Sequence, residues 1–216
     1  VSGRGLSRPR RDTVSAPFSL EEKAFIARLL EAGANLSSER LAQLSGTKWM
    51  ITSSSVDILQ VAQAVTLFGN DATQHMGAHL RSQRPQSPLS LEFLMLFPDW
   101  SVKPLCATIA KHGGPRMQAL PDKDKIIIGE VSNILGQGMV KAMADTLGIS
   151  IILSVPHVSG GVKSELLSTV MDKVGGKRDF VVLTHIEMHS EELSAVSSMV
   201  LIFEADFLRR FPASLR

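Results

Sequence analysis

The chain has 216 residues, 44% of them hydrophobic and 20% charged, with a formal net charge of +2. That is enough for one sizeable core, and the composition is that of a globular protein, not a low-complexity or fibrous one. The charge is localised: residues 1 to 17 hold Arg4, Arg8, Arg10 and Arg11 against Asp12, and taking these from 23 basic and 21 acidic residues leaves 19 and 20, a net charge near −1. The remainder lacks the electrostatic footprint of a nucleic-acid binder, so no nucleic-acid partner is expected.

Residues 1–17, rich in Gly, Ser and Pro and poor in apolar side chains, read as a disordered basic tail. The segment has no apolar run of a secretory signal, and no stretch reaches the length of a membrane span. The single cysteine, Cys106, lies in PLCATIA and reads as a small buried hydrophobe without an internal disulfide partner. These features together suggest a cytoplasmic protein.

A capping-box pattern, Ser19 to Glu22, opens an amphipathic helix predicted over 19–44. A strand (48–53), a helix (57–68), strands over 74–82 and 90–97, and a further helix follow. The connection RSQRPQSP between those two strands reads as a hairpin loop. The same order then returns: a helix over about 124–146, a strand (149–155), a helix (163–174), strands over 179–188 and 195–203, and a terminal helix.

The order repeats because the sequence does. LAQLSGTKWMITSSSV (41–56) aligns with MADTLGISIILSVPHV (143–158) at an offset of 102, each a helix end closed by a glycine, Gly46 or Gly148. LEFLMLFPDWSV (91–102) aligns with SSMVLIFEADFL (197–208) at an offset of 106. The reading is an α/β (α+β) domain over 18–216, built from repeats 18–113 and 122–216 that meet near GGPRMQALPDKDK. It predicts a pseudo-twofold, mostly antiparallel sheet with long helices packed on it.

The second repeat carries the most informative pattern, KIIIGEVSNILGQGMVKAMADTLGISIILSVPHV. Glu130 and Asn133 are three apart and project side by side from one helix face. Gly136 and Gly138 follow, and Pro156 comes after a spacing of 22 from Asn133. This E-x-x-N-x22-P pattern, with its N-I-x-x-G continuation, resembles the CheC/CheX/FliY family of chemotaxis phosphatases. The resemblance covers residues 18–216 and implies a CheC-like fold.

The resemblance implies hydrolysis of the aspartyl phosphate of a CheY-like response regulator. Asn133 would orient the attacking water and Glu130 would pair with the regulator's lysine. A carboxamide suits the task, because it accepts from water, donates to a phosphoryl oxygen and carries no repelling charge. Pro156 would shape the surface beside the helix, and Gly136 and Gly138 would allow something to pack close, a partner or the neighbouring helix. No intrinsic cofactor or metal is expected; Mg²⁺ would come with the receiver domain. A CheD-like deamidase and flagellar switch proteins are further partners that the resemblance implies. Four residues before the glutamate the family carries Asp or Ser, where this chain has Ile126. The alternative is a non-catalytic binding module of the type of the FliM middle domain.

At the offset of 102 the first repeat has Arg28, Glu31 and Ser54 at the corresponding positions. An arginine repels a lysine and a carboxylate repels a phosphoryl group, so one active site is expected, not two. Two H-x3-H sets, His75/His79 and His185/His189, fall in strand patterns and read as exposed strand residues, with a metal site on the face shared by His185, Glu187 and His189 as the lesser alternative. SGGVKSE lacks the full phosphate-loop pattern, and Cys106 has no visible base partner.

Overall fold

The computed structural model describes residues 19–64, 66, 68–69, 71–83, 90–112, 114, 118–174 and 180–204. The basic tail, most of the RSQRPQSP connection and the expected terminal helix lie outside them.

Helix α1 (Leu20–Ser45) begins where the capping box puts it: the Ser19 backbone N–H donates to Glu22 Oε2 at 2.9 Å and the Glu22 N–H donates to Ser19 Oγ at 3.1 Å. It stops at Gly46, whose left-handed conformation (φ 67°) lets its N–H bond Ala42 O. Strand β1 (Met50–Gln60) and the short α2 (Val61–Ala64) follow. Strands β2 (Gln74–Arg81) and β3 (Leu91–Pro98) lead into α3 (Asp99–His112). The second half has α4 (Lys123–Leu147), β4 (His157–Val162), α5 (Lys163–Val174), β5 (Phe180–Ser190) and β6 (Ala195–Glu204). Helix α4 ends at Gly148 (φ 64°), bonded to Ala144 O, the counterpart of the α1 terminus 102 residues earlier.

The six strands form one sheet in the order β1-β5-β6-β3-β2-β4, every pair antiparallel. Exchanging the halves (β1 with β4, β2 with β5, β3 with β6) reverses this order and leaves it unchanged, so a pseudo-twofold axis runs between β3 and β6. Each half lends its first strand to the other: among the described residues β1 pairs only with β5, and β4 pairs only with β2.

Apolar side chains cover both faces of the sheet. On one, Ile26 and Leu30 of α1, Ile128, Val131 and Leu135 of α4 and Leu105 of α3 pack with Phe93, Met95 and Phe97. On the other, Leu166, Leu167, Val170 and Met171 of α5 cover Leu94, Leu96, Val200 and Ile202. The central strand β3 is buried at all eight positions, as a strand between two helical layers must be.

Two expected elements differ, and so does the exposure of the histidines. The helix expected over 57–68 is strand to Gln60 and, among the described residues, helix over Val61–Ala64, because β1 and β5 pair continuously from Ser53 to Gln60 and the ladder outweighs a short helical period. The strand expected over 149–155 is irregular, with Leu153 bridged to Ser82, and the ladder proper begins at His157. The histidines expected on exposed strand faces are covered instead. His75 is buried with its Nδ1 bonded to Thr73 O at 2.7 Å, and His79 and His185 are half-buried.

Candidate functional site

Glu130 and Asn133 lie in the middle of α4, on the helix face turned away from Val131 and Leu135. Those two anchor the helix on the sheet at zero exposure, so the alternate face is left to solvent. Glu130 is exposed and Asn133 half-buried, and neither side chain has a hydrogen-bond partner among the described residues. A carboxylate and a carboxamide are thus presented one turn apart with their bonding capacity unspent.

Opposite them runs the segment 153–158, and between helix and segment lies a groove of about 610 Å³. Its lining includes Ile126, Glu130, Asn133, Val155, Pro156 and His157. The structure therefore brings Pro156 to the pair, although 22 residues separate it from Asn133 in the chain.

The pairing register explains the position of the proline. The Ser154 N–H bonds Arg81 O at 2.8 Å, and the ladder resumes at His157 opposite His79. Three steps along the outer strand therefore span two along β2, which is a β-bulge. Pro156 has no N–H to give a ladder, and an edge-strand bulge is where a proline is tolerated. The extra residue pushes Val155 out to 85% exposure, so the bulge forms a raised wall to the groove. Strand β1 has its own register step between Ile51 and Ser53, but Ser54 stands in an unbroken ladder opposite Ile186.

Gly136 and Gly138, expected among the binding residues, face inward and cannot reach a partner. A Cβ at Gly138 would lie 3.0 Å from Ser37 Cα and 3.1 Å from Ser37 N, in the backbone of α1. Ser37 Oγ bonds Leu135 O at 2.8 Å across this contact. At Gly136 a Cβ would meet Leu153 Cδ1 at 2.9 Å, the inner side of the segment that bears Pro156. Both glycines hold the site helix against the fold, and what packs close is the neighbouring helix and that segment.

Ile126, in place of a small acidic or hydroxylated residue, is 48% exposed at the groove rim. In the first half, Arg28 and Glu31 are both exposed, on the face of α1 opposite Leu29 and Leu30. The charges that should disable that copy are therefore on its surface.

No group of three or more His, Cys, Asp or Glu that could hold a metal occurs among the described residues. Burial pushes the Cys106 thiol up to about 12, which leaves no thiolate at neutral pH. Burial also lowers His185, with the nearby Glu187 carboxylate opposing the shift. SGGVKSE forms edge strand β4 and the first turn of α5.

No family model matches the chain. A CheC1 protein of Halobacterium salinarum, to which CheY-P phosphatase activity is assigned by name, is 23% identical over 190 residues, covering 83% of this chain and 88% of its own. The FliY structure from Thermotoga maritima superposes with a TM-score of 0.64 at 16% identity, over 89% of this chain and 94% of that one. The FliM middle domain from H. pylori superposes with a TM-score of 0.60 at 8% identity, over 90% and 100%. In sequence the chain is similar to a CheC protein, and in fold it is similar to FliY and to the FliM middle domain.

Proposed function

We propose that this protein hydrolyses the aspartyl phosphate of a CheY-like response regulator, with the chemistry carried by Asn133 and Glu130. The observation that carries the reading is their placement: an unpartnered carboxamide and carboxylate on one helix face, beside the wall raised by Pro156. The relative assigned CheY-P phosphatase activity supports the reaction class.

An acyl phosphate held by its own receiver, with Mg²⁺ and a lysine, is already polarised, and placement of the water limits its hydrolysis. Asn133 accepts a hydrogen bond from the water and donates to a phosphoryl oxygen, holding the nucleophile in line. The water oxygen bonds phosphorus as the acyl P–O bond breaks. The aspartate leaves as carboxylate, and the water's proton stays with inorganic phosphate or passes to solvent. Glu130 pairs with the receiver lysine and sets the register of the helix on its partner. Mg²⁺ belongs to the substrate protein, so none of these residues has to ligate a metal. The proposed reaction is one of the cytoplasm, where such receivers work. No helix among the described residues is long and apolar enough to cross a membrane.

The second reading is a non-catalytic module, favoured by the superposition on the FliM middle domain and by the apolar Ile126 and Val155 beside the site. Its partners would be flagellar switch proteins or a CheD-like deamidase. Phosphate release from a phosphorylated receiver separates the two readings. The wild-type chain accelerates release and Asn133→Ala does not if the first is right; equal, unaccelerated release with both assigns the module.

A further inference from the structure

The bulged segment has two sides. Ser154, Val155 and His157 line the groove facing α4, and the same three residues line a second hollow of about 280 Å³. The rest of that hollow is His79, Arg81 and Lys173. Alternation along β2 sends Ala78 and Leu80 into the core under α1 and α4 and leaves His79 and Arg81 for the opposite face. Lys173 reaches the hollow from the last turn of α5, and His157 stands directly across the ladder from His79.

The charges there do not cancel. His79 Nε2 is 2.7 Å from Glu92 Oε2, which occupies the nearest carboxylate. Arg81 and Lys173 have no carboxylate partner among the described residues. Glu92 also stands directly across the ladder from Arg81, so two cations and two histidines leave the concave site with a small positive balance, which favours an anion. Scattered surface cations alone would carry little weight. Here they adjoin an apolar crest, Val155 at 85% and Ile126 at 48% exposure, which also borders Glu130 and Asn133. An apolar centre flanked by polar groups on both sides is the anatomy of a protein interface.

We propose that the protein seated in the Glu130/Asn133 groove straddles the bulge, covers Val155 and Ile126, and places an acidic side chain between Arg81 and Lys173. The inference rests on the proposed function, which makes that protein a receiver. The hollow then works as a specificity device separate from the chemistry. It accepts receivers with a carboxylate at the right distance from the phosphorylated aspartate and rejects those with a cation there.

The test is steady-state dephosphorylation of a CheY-like receiver phosphorylated by a small-molecule phosphodonor. Lys173→Glu, on an exposed helix turn, and Arg81→Gln should each raise KM about tenfold at unchanged kcat, and should flatten the rise of KM with salt. Asn133→Ala, by contrast, loses kcat. Wild-type KM and salt dependence in both hollow variants would overturn the hollow and leave the phosphatase standing. A fall in kcat at unchanged KM would also overturn it. Inorganic phosphate that shifts the His79 and His157 resonances, with KM unmoved in the variants, would make the occupant a free anion and reject docking. A wild-type chain that turns over no receiver rejects the phosphatase reading and this interface with it.

Discussion

Asn133 and Gly138 lie on one helix in opposite surroundings, one half-buried beside the groove and one against α1, and mutations should separate them. Asn133 is half-buried and unpartnered, so Asn133→Ala should leave thermal unfolding unchanged while stimulated dephosphorylation falls roughly 10²-fold, the scale of one positioned polar group. Gly138→Val meets the α1 backbone at Ser37 and should cost about 1–3 kcal/mol of stability, read as a lower denaturation midpoint. Activity per folded molecule should survive if the helix regains its position. Glu130→Lys brings a like charge to the receiver lysine and should weaken binding of a receiver loaded with a phosphoryl mimic; calorimetry that finds unchanged affinity removes Glu130 from the interface. Cys106 should resist alkylation at neutral pH until the protein unfolds, because burial holds its thiol up to about 12.

At the scale of elements, the two edge strands show why the halves differ. Both step by one residue at similar places, but only the second half spends the step on a proline and a protruding valine. Strand β1 instead runs on as a ladder to Gln60 and presents Thr52, Ser53 and Ser54, all exposed. Restoring the charges alone should therefore restore little. In an Asn133→Ala background, Arg28→Glu with Glu31→Asn is expected to recover no more than a small fraction of the lost phosphate release. Recovery near wild type would show that the helix pair suffices and the bulge is dispensable.

Across the whole molecule, the exchange of first strands ties the halves together. Residues 18–113 alone would leave β1 without β5, and residues 122–216 alone would leave β4 without β2. Each fragment would expose strand edges and half of a shared core. Neither should show a cooperative thermal transition on its own, whereas mixing the two should restore one. Independent folding of either fragment would mean that the exchanged strand is not needed for stability.

Much of this was legible in the chain because it is local. The capping box at Ser19, the glycine stops at Gly46 and Gly148, and the apolar strands β3 and β6 follow from short-range rules, and the structure keeps them within a residue or two. The pairing of Glu130 with Asn133 on one face needed only the helical period. What the sequence could not decide depends on partners distant in the chain. Residues 57–60 are strand because β5 lies beside them, and Gly136 and Gly138 are structural because Leu153 and Ser37 close over them. The hollow of His79, Arg81, His157 and Lys173 gathers residues from three elements and had no spacing to betray it. Local backbone preference and periodicity are written in consecutive residues; which side chain meets which across the sheet is decided only when the two halves exchange their strands.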